Sequence, residues 1–152
     1  MMKKGLGLIL EGKTVLITGG GGTVGAEIAL QVTKWKPNRI VCLGRSKSNL
    51  DDVMINVKKA SSDTDVEIDM CDVCDRLRIN EVFSKHRPDV VFHMAAEKDI
   101  RLTNADPIRA VMVNVQGARN VVDAASQFGV KMLVFTSSIK ADHPSSVMGA
   151  TK

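Results

Sequence analysis

From Lys13 to Gly25 the chain reads Lys-Thr-Val-Leu-Ile-Thr-Gly-Gly-Gly-Gly-Thr-Val-Gly, a β-branched and apolar run that breaks into glycines and then into a helical pattern. Few folds accept that order. It describes a strand, a tight loop and a helix start. Gly19, Gly22 and Gly25 fall in a G-x-x-G-x-x-G spacing. The first suits the turn off the strand, the second a close approach of backbone to a pyrophosphate, and the third close packing of helix on strand. Thr18 ends the strand, and Thr23 and Val24 open the helix. Their free N–H groups and the positive end of the helix dipole favour bound phosphate.

The rest of the chain alternates in the same way. Strands are expected at Thr14–Thr18, Arg39–Leu43, Val66–Asp69, Val90–His93 and Met132–Thr136. Helices are expected at Thr23–Trp35, Asn49–Ala60, Asp75–His86 and Pro107–Phe128. The spacing turns Val24, Ile28 and Val32 inward on the first helix, Leu50, Val53, Met54 and Val57 on the second, and Leu77, Val82 and Phe83 on the third. On the fourth, Ile108, Val111, Val115, Val122 and Ala125 read most simply as a core stripe, with an interface as the alternative. Strands that are apolar throughout and separated by helices make a parallel sheet covered on both faces. The fold class is therefore α/β, a Rossmann-like doubly wound parallel sheet with strand order 3-2-1-4-5, and ligand sits at the carboxyl ends of strands one and four.

At 152 residues, 44% hydrophobic and 25% charged, the chain has room for one core, so residues 1–152 read as a single nucleotide-binding domain. The net charge of +4 does not make it a nucleic-acid binder, because acids and bases are interleaved and aromatics are only 3%. Cys42, Cys71 and Cys74 are an odd count with no secretory signal, which points to reduced thiols in the cytoplasm. Cys71-x-x-Cys74 lacks the second half of a zinc site, so the pair reads as packing and no metal is expected. The apolar patch Leu6–Leu10 is too short for a membrane span.

The loop after the second strand selects the cofactor. An acid there binds the ribose 2′-hydroxyl of NAD, whereas an Arg accommodates the 2′-phosphate of NADP. Here the residues are Gly44, Arg45, Ser46 and Lys47: no carboxylate, one fork-shaped cation, a hydroxyl donor and a further charge. This favours NADP over NAD, the bland reading being a basic surface turn. After the third strand, Asp72 and Val73 face the adenine, the Asp accepting from its amino group.

Several motifs together carry a family resemblance. Thr18-Gly19-x-x-Gly22-x-x-Gly25, His93-Met94-Ala95-Ala96-x-Lys98, Val113-Asn114-Val115-x-Gly117 and the ending Val147-Met148-Gly149-Ala150-Thr151-Lys152 resemble the extended short-chain dehydrogenases/reductases. More narrowly they resemble the polysaccharide-biosynthesis (CapD-like) branch of nucleotide-sugar 4,6-dehydratases and epimerases acting on UDP-N-acetylhexosamines. The resemblance implies cofactor contacts from Thr18, Ala95, Ala96, Lys98 and Asn114, with His93 in the wall of the cofactor site. It also implies chemistry in which the sugar is oxidised at C4, a lysine removes the C5 proton and an aspartate helps water leave from C6.

Such proteins carry Ser-Thr-Asp-Lys after the fifth strand, where this chain has Ser137-Ser138-Ile139-Lys140. By resemblance Ser138 binds the C4 hydroxyl, Lys140 is the C5 base and Lys152 holds the nicotinamide ribose. Met148 stands where the wider superfamily has a tyrosine base, as is seen within this branch. Ile139 cannot donate a proton, and loss of a general acid costs about 10² to 10⁴ in rate. Either Asp142 substitutes or the dehydration step is missing; His143 reads as an exposed loop residue.

Family members also continue beyond this lysine into further strands and a substrate domain, which is absent from this sequence. An apolar fifth strand at the sheet edge invites a second chain, so a homo-oligomer is expected. Three readings stand: the cofactor-binding portion of a UDP-sugar dehydratase/epimerase, a stand-alone NAD(P)-binding module that catalyses nothing, or a structural partner with vacant glycines, against which the intact glycines and Arg45 argue.

Overall fold

The computed structural model describes Gly5, Gly7 and residues 9–152. Leu6 and Leu8 of the expected N-terminal apolar patch lie outside the described residues, while Leu10 is buried in the core. No described helix is long and apolar enough to cross a membrane.

Five strands, β1 (Thr14–Thr18), β2 (Arg39–Gly44), β3 (Asp65–Met70), β4 (Val90–His93) and β5 (Met132–Phe135), form one parallel sheet in the order β3-β2-β1-β4-β5. Between them run α1 (Thr23–Val32, extended by a 3₁₀ turn to Trp35), α2 (Lys47–Ala60), α3 (Arg76–His86), α4 (Ile100–Ala105), α5 (Pro107–Val111), a π-helical turn (Met112–Gly117) and α6 (Ala118–Gln127). A 3₁₀ turn at Ile139–Ala141 and the short α7 (Val147–Ala150) follow β5.

Alternate residues of each strand feed two separate cores, as a period of two requires. Val15, Ile17, Ile40 and Cys42 pack with Ala29, Val32, Leu50, Val53 and Val57 of α1 and α2. On the opposite face Leu16, Val41, Leu43 and Val91 pack with Ile79, Val82 and Phe83 of α3 and with Val121 and Ala124 of α6. Side chains cap α2 and α3: the Ser46 hydroxyl accepts from the Asn49 N–H and the Asp75 carboxylate from the Arg78 N–H. Pro107 opens α5, and Gly129, with φ of +72°, follows α6.

Three helical faces differ from the sequence expectation. Val24 is 53% exposed at the start of α1. Leu77 is 76% exposed, and Ile79 takes its place beside Val82, Phe83 and His86 at helical spacing. The expected stripe on the fourth helix is the larger correction: Ile108, Val111, Val115 and Val122 are all exposed, and of the five only Ala125 is buried. The face turned inward consists of Ala110, Val113, Asn114, Gly117, Asn120, Val121 and Ala124. Small residues are needed there because this helical segment packs tightly on the loop after β3. A Cβ on Gly117 would stand 2.6 Å from Val73 Cγ2, and the Asn120 amide donates to the carbonyls of Val73 and Cys74 at 2.9 and 3.2 Å. Ranking by hydropathy picks the large apolar residues and so selects the wrong side.

Candidate functional site

The carboxyl ends of the strands open into a groove of about 740 Å³. Its floor is the glycine turn. Gly19 has φ of +67°, a left-handed conformation, and a Cβ there would fall 2.7 Å from the Ala95 backbone nitrogen. At Gly25 a Cβ would lie 2.9 Å from the Gly19 carbonyl carbon and closer still to its oxygen, so helix and turn meet backbone to backbone. Gly20 adds a contact that the G-x-x-G-x-x-G spacing does not mark, since its Cβ would sit 2.7 Å from Cys42 Cβ. Gly22 caps α1 with no side-chain hydrogen bond, leaving the N–H groups of its first turn free to face the groove.

Gly19, Gly22, Thr23, Val24 and Gly25 line this floor. Arg45, Ser46, Asp72 and Val73 line one end; Ala95, Ala96 and Lys98 line the side after β4; Ser138, Lys140 and Lys152 line the other end. Three residues assigned from sequence stand behind the wall instead. Lys47 turns away to Asp51, at 2.7 Å. Thr18 is fully buried, its Oγ1 2.7 Å from His93 Nδ1 and accepting from the Ala95 N–H at 3.2 Å. Asn114 is a strut: its Oδ1 accepts from the Glu97 N–H at 2.8 Å, and its Nδ2 donates to the Glu97 carbonyl and to Thr151 Oγ1 at 3.0 and 2.9 Å.

His93, expected in the groove wall, is buried beneath it and stacks on Phe135 with ring centroids 5.5 Å apart. Burial, aided by the nearby Lys152 ammonium, pushes its pKa down to about 4, so the ring is neutral. Lys152 is itself lowered by desolvation, and its Nζ lies 5.1 Å from the Phe135 ring centre. Ser138 caps the 3₁₀ turn by accepting from the Lys140 N–H at 3.2 Å, which leaves its hydroxyl proton free to donate. Gly149 lets α7 rest on that turn, because a Cβ there would strike the Lys140 carbonyl oxygen.

Charge on the wall is lopsided. Arg45, Lys98, Lys140 and Lys152 face a single carboxylate, Asp72. Burial raises the Asp72 pKa, but the Cys74 amide and the Arg109 guanidinium outweigh it and hold the group below the usual carboxylate range. Both Asp72 oxygens are engaged, Oδ1 by the Cys74 N–H at 2.9 Å and Oδ2 by Arg109 Nη2 at 3.0 Å. Ile139 is 92% exposed and absent from the wall. Asp142 also points to solvent, 3.6 Å from His143, so it is not placed to replace the missing acid. Burial pushes the Cys71 and Cys74 thiols up to about 12 and 11; both are free, and the C-x-x-C pair is part of the packing. Sequence reading also missed Glu97 and Arg109, whose pairing with Arg45 and Asp72 spans the groove end.

Comparison with known proteins follows this geometry. The family described as polysaccharide biosynthesis protein matches residues 15–152. The probable polysaccharide biosynthesis protein EpsC of Bacillus subtilis (strain 168) is 36% identical over 144 residues, covering 94% of this chain and 24% of that protein. A UDP-N-acetylglucosamine 4,6-dehydratase (inverting) of Campylobacter jejuni (strain 81-176) is 30% identical over 145 residues, covering 95% and 42%. Among solved structures, the X-ray structure of Pen from Bacillus thuringiensis superposes with a TM-score of 0.86 at 33% identity, covering 95% of this chain and 44% of that one. The chain thus spans less than half the length of the relatives it matches. With a matching family profile over nearly all its residues, the chain belongs to the polysaccharide biosynthesis protein family.

Proposed function

We propose that this chain is the nicotinamide-dinucleotide-binding portion of a nucleotide-sugar 4,6-dehydratase or epimerase acting on a UDP-N-acetylhexosamine, with NADP as its cofactor. The observation that carries this reading is the glycine turn. With no Cβ at Gly19 or Gly25, the loop after β4 and the start of α1 close on the turn backbone to backbone, and the uncapped N–H groups of α1 face the groove, an arrangement that suits a pyrophosphate. At the end of β2, Gly44 removes the carboxylate that would repel a 2′-phosphate, and Arg45, 56% exposed in its side chain, offers a guanidinium fork to it.

The cofactor supplies hydride acceptance and return at the sugar C4. Lys152 holds the nicotinamide ribose, and its desolvated ammonium favours a hydrogen-bonded hydroxyl. Ser138 donates to the sugar hydroxyl, and Lys140, exposed at the groove mouth, takes the C5 proton. Ile139 supports the second reading, in which this chain binds cofactor without carrying dehydration, because Asp72 is the lone carboxylate on the described wall and it is already doubly bonded.

Calorimetric titration with NADP⁺ and NAD⁺ tests the cofactor reading. Wild type is expected to bind NADP⁺ in the micromolar range, and Arg45→Asp to weaken it about tenfold to 100-fold, the range for loss of a charge-assisted hydrogen bond. Heat from neither nucleotide would remove the reading.

We also propose that a second copy of the chain covers Val111, Met112, Val115 and Val122, which are 41–50% exposed along one helical segment. Light scattering should show a dimer that becomes a monomer in the Val111→Glu/Val115→Glu variant. A wild-type monomer at every concentration would overturn the idea.

A further inference from the structure

Four charged side chains form a ring at the end of the groove that Arg45 and Asp72 line, with Glu97 and Arg109 outside that lining. Glu97 Oε1 lies 3.1 Å from Arg45 Nη2 and 3.8 Å from Arg109 Nε. Asp72 Oδ2 lies 3.0 Å from Arg109 Nη2 and 3.9 Å from Arg45 Nη1. Charges alternate around the ring, which joins the loops after β2, β3 and β4 to α5. Its members are not equivalent. Asp72 is committed to Arg109 and Cys74, so its hold on Arg45 is the weakest side of the ring. Glu97 is the principal partner of Arg45. It cannot drift, because Asn114 grips its backbone at both the N–H and the carbonyl.

The geometry points to Glu97 as the residue that sets the ratio of NADP to NAD binding, by competing with a 2′-phosphate for the Arg45 guanidinium. This inference rests on the reading of the groove as a dinucleotide site. A phosphate placed on Arg45 brings two negative charges against a carboxylate already seated on the same guanidinium. One must yield, and the Asn114 strut keeps Glu97 near. A ribose 2′-hydroxyl carries no charge and meets no such repulsion, so NAD binding does not depend on the Glu97 charge. Glu97 therefore opposes, from the β4 side, the one cation that selects NADP, and the chain carries the two in contact.

Replacing the charge while keeping the shape isolates the effect. Glu97→Gln should tighten NADP⁺ about tenfold and leave NAD⁺ within about twofold, and calorimetry with both nucleotides reads the two affinities. In an Arg45→Gln background the same substitution should change neither affinity by more than about twofold, since the competition has lost its object. Equal weakening of both nucleotides by Glu97→Gln would show Glu97 to be a structural prop only and overturn the inference. So would a tenfold gain that persists without Arg45. Failure of the NADP reading looks different: wild type would prefer NAD⁺, while Glu97→Gln still shifted the ratio towards NADP⁺ through Arg45, and the inference about Glu97 would stand. Wild type that binds neither nucleotide overturns both.

Discussion

A Gly25→Ala chain is expected to lose at least about 100-fold in NADP⁺ affinity and roughly 3 kcal/mol of folding stability, from the addition of one methyl group. Overpacking in a rigid interior costs typically about 1–3 kcal/mol, and this site belongs at the upper end. The added Cβ meets the Gly19 carbonyl carbon and oxygen and the Gly20 Cα, all backbone, so no side chain can rotate aside. Relief requires the start of α1 to move off the turn, and the phosphate-facing N–H groups move with it. Gly22→Ala is the matched control. Its backbone angles, φ −82° and ψ 164°, suit any residue, and its Cβ would stand 3.2 Å from the Gly19 oxygen. It should cost less than about 1 kcal/mol. Urea melts and calorimetry of the two variants decide the matter: if Gly25→Ala behaves like Gly22→Ala, the backbone contact is not what fixes the turn.

Acid is expected to weaken the fold through His93, starting below about pH 6.5. Thr18 Oγ1 accepts from the Ala95 N–H and lies 2.7 Å from His93 Nδ1, a bond that runs in either direction according to the imidazole tautomer, which leaves Nε2 as the other ring nitrogen. That nitrogen is buried, and no hydrogen-bond partner for it exists among the described residues. Folding lowers the pKa from the ordinary 6.5 to about 4. Between those values the unfolded chain binds the extra proton and the folded one does not, so stability falls as pH drops through this window. The full effect is about 3 kcal/mol, at about 1.4 kcal/mol per pH unit. His93→Asn keeps an acceptor for Thr18 and removes the titration. Its stability should be nearly flat between about pH 6.5 and 5, where wild type already slopes. Asp69, Asp72 and Asp89, all held below the carboxylate range, begin to lose their contributions below about pH 5, but they do so in both proteins and cancel in the difference between them. Parallel slopes in the two proteins would place the effect elsewhere.

Regular structure was legible in this chain where local pattern and tertiary demand coincide. Five strands read from apolar runs appear with bounds shifted by a residue at most, because strands covered on both faces have no polar side to confuse the reading. The order β3-β2-β1-β4-β5 follows from one crossover rule applied repeatedly. Misreadings cluster where packing distance, not hydropathy, chooses the inward side. Gly117 and Asn120 are buried because the loop after β3 needs close approach and hydrogen bonds, and Asn114 because it ties the loop after β4 to Thr151. Short helices such as Ile100–Ala105 and Val147–Ala150 are too brief to show a period. In the site, the glycine turn and Arg45 could be read locally. Glu97 could not, since it meets Arg45 across 52 residues and its chemistry exists only once three loops and α5 converge.

With Arg45 held by Glu97 and Asp72 by Arg109, the three lysines on the same wall, Lys98, Lys140 and Lys152, also have a consequence for the stability of the whole molecule. Like charges lining one groove repel, and the folded chain carries that repulsion until a polyanion occupies the space. A dinucleotide then acts as the missing counter-ion as well as a reagent. Ligand at a thousand times its dissociation constant adds about 4 kcal/mol by mass action, a large share of the stability of a domain this size. How long such a chain survives in a cell would then follow the size of the nucleotide pool around it.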